Sequence, residues 1–182
     1  MDIRPTSDRL RETLFNVLTA GTPDALAGSV WLDLYAGTGA VGIEALSRGA
    51  AKVYFVEQSA DAVKFIHENL MSLGIASGVE VIQKDVGKTL ARLQGEASSM
   101  DFVFLDPPYR LESEYRDTLA AVGNWDSLKT TAIAIAEHEK KFDPGEEFGA
   151  MVRFRKLQQG DAVLSFYRQA AVVPPFMNKA TS

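Results

Sequence analysis

The chain has 182 residues, 19 Lys+Arg against 24 Asp+Glu for a net charge of -5, and no cysteine. At about 150 residues per domain this is one globular domain, able to bury roughly 70% of its unfolded surface without a covalent staple. The lack of cysteine excludes disulfides, thiolate metal sites and a cysteine nucleophile, and the acidic balance weighs against a chain that coats nucleic acid through clustered Lys/Arg.

No run approaches the roughly 18 apolar residues of a membrane span. Met1-Asp2-Ile3-Arg4-Pro5 lacks the charged start and apolar run of a signal peptide. The expected compartment is the cytoplasm, with no membrane partner.

Leu10, Leu14, Val17 and Leu18 recur at helical spacing after the start signal Pro5-Thr6-Ser7 and predict a first helix. Val30 to Tyr35 is an apolar strand that runs into the glycine-rich segment 36–42. A helix carrying Val41, Ile43 and Leu46 follows and stops at Gly49. Val53 to Glu57 is a second strand, Ala62 to Leu73 a helix ended by Gly74, and Val79 to Ile82 a third strand leading to Asp85. A short helix near Leu90 precedes a strand over Asp101 to Asp106, then Pro107-Pro108-Tyr109, a helix around Tyr115 to Val122 and a strand over Ala132 to Ala136. Alternating strands and helices imply a parallel sheet.

Met151 to Leu157 and Ala162 to Arg168 break that alternation, being two β-like runs joined by Gln158-Gln159-Gly160. The expected fold is a doubly wound, mostly parallel α/β sheet ending in an antiparallel hairpin, with its ligand outside the carboxyl ends of the strands. One domain over residues 1–169 is expected, with residues 1–20 as its N-terminal helical segment and residues 170–182 as a loosely held tail.

Gly37-Thr38-Gly39-Ala40-Val41-Gly42 places glycines between strand and helix, where backbone N–H groups can approach a nucleotide. The same glycines also serve a tight turn and close helix packing with no ligand at all. Glu57 lies 20 positions after Gly37 at a strand end, where a carboxylate accepts from ribose hydroxyls in NAD and S-adenosylmethionine enzymes alike. Asp33, four positions before Gly37, is expected to point a carboxylate at the pocket mouth. There it would repel a pyrophosphate and welcome the ammonium group of S-adenosylmethionine. Asp85 is either an acceptor for the adenine amino group or a helix N-cap.

Asp106-Pro107-Pro108-Tyr109 is the most specific motif. Two prolines fix the backbone after a buried strand, and their carbonyls are expected to lack partners and aim outward. The Asp106 carboxylate and the Pro107 carbonyl could accept both hydrogens of a planar exocyclic amine while Tyr109 stacks on its base.

In this order the motifs resemble amino-methyltransferases that use S-adenosylmethionine. Arg4 to Glu12, Leu34 to Gly49 and Gly160 to Arg168 more narrowly resemble the RsmD family, bacterial enzymes that methylate guanine N2 in small-subunit ribosomal RNA. The resemblance implies a Rossmann-like class I methyltransferase fold. It further implies that Gly37 and Gly39 wrap the methionine end of the cofactor, Glu57 holds the ribose and Asp85 the adenine, while Asp106, Pro107 and Tyr109 hold the guanine. The implied partner is ribosomal RNA within small-subunit particles, engaged by a monomer. Members usually carry a β-hairpin ahead of the Arg-Pro-Thr block, where this sequence has three residues. With the acidic balance, that predicts weak affinity for free RNA.

His67 and His138 are far apart and lack ligand spacing, so helix-surface and strand-end roles are expected and no metal. Arg153, Arg155, Lys156 and Arg168 against Asp161 give a local excess of +3 on the hairpin, either facing phosphate or simply solvated. Arg9 and Arg11 suit the cofactor carboxylate, RNA or an exposed helix face. An NAD-dependent oxidoreductase would leave Asp33 and the Asp-Pro-Pro-Tyr block unexplained, and a non-catalytic RNA-binding module would not need Asp106. Adenine N6, cytosine N4 and a glutamine amide remain open as acceptors of the same chemistry.

Overall fold

The computed structural model of the chain describes residues 8–94 and 99–170. The expected start signal at Pro5-Thr6-Ser7 lies outside those residues, as does the expected tail beyond Ala170. The elements are α1 (Asp8–Thr19), β1 (Val30–Leu34), α2 (Ala40–Ser47), β2 (Lys52–Glu57), α3 (Ala60–Ser72), β3 (Val79–Gln83), α4 (Val86–Leu93), β4 (Met100–Leu105), α5 (Glu112–Gly123), β5 (Leu128–Glu139), β6 (Glu147–Phe148), β7 (Met151–Gln159) and β8 (Ala162–Gln169).

One eight-stranded sheet has the order β3-β2-β1-β4-β5-β8-β7-β6. Strands β1 to β5 are parallel, whereas β8 runs antiparallel to β5, β7 to β8 and β6 to β7. The order reverses between β1 and β4, so the crevice for a ligand opens at their carboxyl ends.

Both faces of the sheet are covered, which is why its strands read as nearly unbroken apolar runs. Alternation along β1 sends Leu32 and Leu34 to one face, packed with Tyr115 and Leu119 of α5 and Leu90 of α4. Trp31 goes to the other face, with Leu10, Leu14 and Phe15 of α1, Val41 of α2 and Ile66 of α3. Trp31 stacks on Phe102 at 4.6 Å and meets Phe15 at 5.5 Å, so α1 is anchored on the sheet by aromatic contact. Deleting such a buried large side chain costs about 3–5 kcal/mol.

The structure differs from the sequence expectation in four places, the first of which affects the site. Strand β5 continues through Glu137 and His138 to Glu139, past the polar residues expected to end it. Strand β6 has only two residues, too few for a periodicity. The hairpin pairs Gln159 with Ala162, so its loop is Gly160-Asp161 rather than Gln158 to Gly160, with Gly160 at φ 63°. A bulge between Arg153 and Arg155 leaves Phe154 as the extra residue.

Candidate active site

Every strand from β1 to β5 delivers polar side chains to its carboxyl end. The β1–α2 loop holds Gly37 at φ 55° and Gly39 at φ 77°, backbone conformations that a Cβ makes costly. Gly42 has an ordinary φ and is needed for another reason. A Cβ there would lie 2.7 Å from Val53 Cγ1 and 2.8 Å from Phe55 Cζ, and closer still to Phe55 Cε1, so its absence lets α2 lie close on β2. Asn69 of α3 donates from Nδ2 to the Thr38 carbonyl at 3.0 Å and pins the loop from outside. Nothing in the spacing around Asn69 signals that contact.

Asp33 does not reach the pocket mouth. It is 2% exposed and its Oδ2 accepts the Gly42 N–H at 2.9 Å. Strand alternation explains the correction, because Asp33 shares the face of Trp31 and so turns inward beneath α2. Burial pushes its carboxyl up to about 8; the Gly42 hydrogen bond opposes that shift and the nearby Glu57 charge adds to it.

Glu57 ends β2 with both oxygens engaged, Oε2 by the Gly37 N–H at 3.0 Å and Oε1 by the Ser59 N–H at 2.9 Å. Each oxygen keeps a second lone pair for a hydroxyl. Asp85 is the N-cap of α4, its Oδ1 accepting the Lys88 N–H at 3.1 Å. Of its two sequence readings, the structure displays the cap.

The Pro107 carbonyl is not orphaned, contrary to expectation, because the buried Tyr115 hydroxyl donates to it at 3.0 Å. A chain turn explains it: Pro108 accepts the Leu111 N–H at 2.8 Å, and α5 then brings Tyr115 back beneath the prolines. One Pro107 lone pair remains. Asp106 is half-buried at the end of β4, and the Tyr109 hydroxyl donates to Glu137 Oε1 at 3.4 Å. Burial, followed by the nearby Asp106 charge, pushes the Tyr115 phenol well above its ordinary range, so it stays a donor.

Tyr35 is a site residue the spacing does not reveal. Among the described residues it alone has a left-handed backbone without being glycine, at φ 59°. Its hydroxyl donates to Glu114 Oε2 at 2.9 Å and lies 2.7 Å from Thr118 Oγ1.

The expected basic face of the hairpin is largely neutralised. Arg153 pairs with Asp143 at 2.6 Å and Glu146 at 3.3 Å, and Lys156 with Asp143 at 2.8 Å. Asp161 pairs with Lys140, and Arg168 lies over the Phe154 ring at 4.9 Å. Arg11 pairs with Asp8 on α1. His67 is exposed on α3, whereas His138 is fully buried in β5 between the Glu139 carbonyl and Ser165 Oγ, each 2.9 Å away. Burial lowers its pKa, so the ring stays neutral. Among the described residues no group of three His, Cys, Asp or Glu could hold a metal ion, and no helix is long and apolar enough to cross a membrane.

A glycine loop after β1, carboxylates at the ends of β2 and β4, and a parallel sheet closed by an antiparallel hairpin define the class of Rossmann-like methyltransferases. The family described as Conserved hypothetical protein 95 matches residues 1–168. The chain belongs to that family, the RsmD family. It is 39% identical over 140 residues to Ribosomal RNA small subunit methyltransferase D of Haemophilus influenzae, covering 76% of this chain and 69% of the relative. It is also 30% identical over 166 residues to YlbH of Bacillus subtilis, covering 91% of this chain and 88% of that one. The solved structure of the Escherichia coli protein yhhF superposes with a TM-score of 0.79 at 28% identity, covering 92% of this chain and 89% of the other. The cofactor of this class is S-adenosylmethionine.

Proposed function

We propose that the protein transfers a methyl group from S-adenosylmethionine to the exocyclic N2 of a guanine in small-subunit ribosomal RNA. On this reading it acts in the cytoplasm, as a monomer, on small-subunit particles. The carrying observation is the Asp106-Pro107-Pro108-Tyr109 turn, which ends the strand beside the glycine-loop strand at the switch point of the sheet.

The residues present suit a cationic donor. A dinucleotide pyrophosphate would need free N–H groups at the loop and the start of α2. Here Gly37 N–H donates to Glu57 and Gly42 N–H to Asp33. The Glu57 carboxylate at the loop favours a sulfonium and an ammonium and disfavours a pyrophosphate, and the buried Asp33 carboxyl occupies the Gly42 N–H. This argues against an NAD-dependent oxidoreductase. Gly37 and Gly39 would hold the methionine end, Glu57 the ribose and Asp85 the adenine, with Asp33 bracing the start of α2 from beneath through the Gly42 N–H. The donor supplies a methyl group activated on a sulfonium, so no protein nucleophile is required.

The chain's own residues then bind and orient the acceptor. Asp106 and the free lone pair of Pro107 accept the two N2 hydrogens, draw the nitrogen toward a tetrahedral arrangement and stabilise the positive charge that develops on it. The proton that the methylated nitrogen then releases leaves through the Asp106 carboxylate to solvent. Tyr115 fixes the Pro107 carbonyl through its hydrogen bond. Tyr109 offers a stacking face. A base inside a helix hides its amino group, so the target guanine lies in a loop or is flipped out. Intact glycines and Asp106 favour an enzyme over a non-catalytic RNA-binding module.

The test is mass spectrometry of ribosomal RNA nucleosides from cells with and without the gene. Loss of one N2-methylguanosine is expected. An unchanged nucleoside profile, or loss of a different methylated base, would refute the proposal.

A further inference from the structure

Glu137 is a second carboxylate beside the proposed base-binding turn. It follows Ala136, which pairs in register with Leu105, while Asp106 follows Leu105. The two acidic residues therefore come next on adjacent parallel strands, whose axes lie about 4.8 Å apart. Glu137 is 4% exposed, and its Oε1 accepts from the Tyr109 hydroxyl. Burying a carboxylate is costly, and the methyl-transfer chemistry above makes no use of it.

An ionised carboxylate only accepts hydrogen bonds. With both carboxyls ionised, Asp106, Glu137 and the Pro107 carbonyl would together offer a base acceptors alone. Among the candidate bases, guanine matches them by presenting adjacent donors, N1–H and the two N2 hydrogens. Adenine and cytosine offer an amino group beside a bare ring nitrogen, which is itself an acceptor. Against a carboxylate, that nitrogen would face a lone pair instead of a proton, and a buried acceptor left unmatched costs more than a missing contact.

We propose that Glu137 is the specificity-determining residue that accepts the N1–H of the target guanine, with Tyr109 held against its other side. The proposal rests on the guanine-N2 reading and adds to it a reason for choosing guanine.

2-Aminopurine separates this role from a structural one, because it keeps the 2-amino group and replaces N1–H by a bare nitrogen. Small-subunit particles carrying guanine or 2-aminopurine at the mapped target would be methylated by the wild-type protein and by Glu137→Gln. The rate ratio between the two bases is read, so partial misfolding of the variant cancels. The wild type is expected to favour guanine by about ten- to hundredfold, the worth of one charge-assisted hydrogen bond. Glu137→Gln, whose amide can donate to the bare nitrogen, should bring the ratio within about threefold. The same ratio in both proteins would overturn the role of Glu137 while leaving guanine-N2 transfer intact. Wild-type transfer to adenine or cytosine, or none to either probe, would overturn both.

Discussion

The Tyr35 hydroxyl donates to Glu114 at 2.9 Å and so ties the glycine loop to the helix that follows the Asp-Pro-Pro-Tyr turn. Tyr35 holds this position with φ 59°, a conformation usually left to glycine. The strain is set against two hydroxyl contacts, Glu114 and Thr118, and the tie spans the two loops assigned to cofactor and base.

Tyr35→Phe removes those contacts while keeping the ring. A loss of about 1–2 kcal/mol of stability is expected in urea unfolding, together with weaker binding of S-adenosylhomocysteine. Unchanged values in both measurements would show that the tie does not position the loop.

Asp33 makes stability depend on pH. Its folded-state pKa of about 8 lies above the ordinary 3.8, so between those values the folded state keeps a proton that the unfolded state releases. Its contribution is therefore present below about pH 4 and lost as pH rises toward 8, with a slope of up to about 1.4 kcal/mol per pH unit. Asp33→Asn can still accept from Gly42 and does not titrate. Urea unfolding of the ligand-free protein at pH 5 and pH 8 should show a larger fall in the wild type than in the variant; parallel falls would contradict the buried, protonated carboxyl.

Gly42→Ala pushes a methyl group into the Phe55 ring and Val53. Overpacking of this kind costs about 1–3 kcal/mol. Thermal unfolding should show a Tm lowered by several degrees. A variant as stable as the wild type would mean that α2 can lift off β2 freely.

Free RNA should be a poor substrate. Arg153 and Lys156 are already paired with Asp143 and Glu146, leaving the hairpin few cations for phosphate. Methylation of small-subunit particles is expected to exceed that of protein-free ribosomal RNA by about tenfold or more at physiological salt. Equal rates would show that charge does not limit recognition.

Much of this site is legible in the sequence, because strand–glycine–helix punctuation and the carboxylates Glu57, Asp85 and Asp106 at or just past strand ends follow from local patterns. The order of Gly37, Glu57, Asp85 and Asp106 gives the parallel sheet and its carboxyl edge. What it hides are relationships fixed by tertiary packing. Asp33 reads as a mouth residue because charges favour water, yet strand alternation turns it inward. Glu137 follows an apolar run and reads as its end, but β5 carries it into the sheet. The Tyr115 hydrogen bond to Pro107 depends on the return of α5 and leaves no trace in spacing. The hairpin cations look unopposed because their partners Asp143 and Glu146 come from the segment after β5.

The central claim is transfer to guanine N2 at Asp106. The purified protein and its Asp106→Ala variant would be incubated with methyl-labelled S-adenosylmethionine and small-subunit particles, and the digested nucleosides resolved by mass spectrometry. The wild type should place the label in N2-methylguanosine, while Asp106→Ala should lose at least one to two decades in rate yet bind S-adenosylhomocysteine nearly as tightly. Label in N6-methyladenosine or N4-methylcytidine, or near-wild-type turnover by Asp106→Ala, would contradict it.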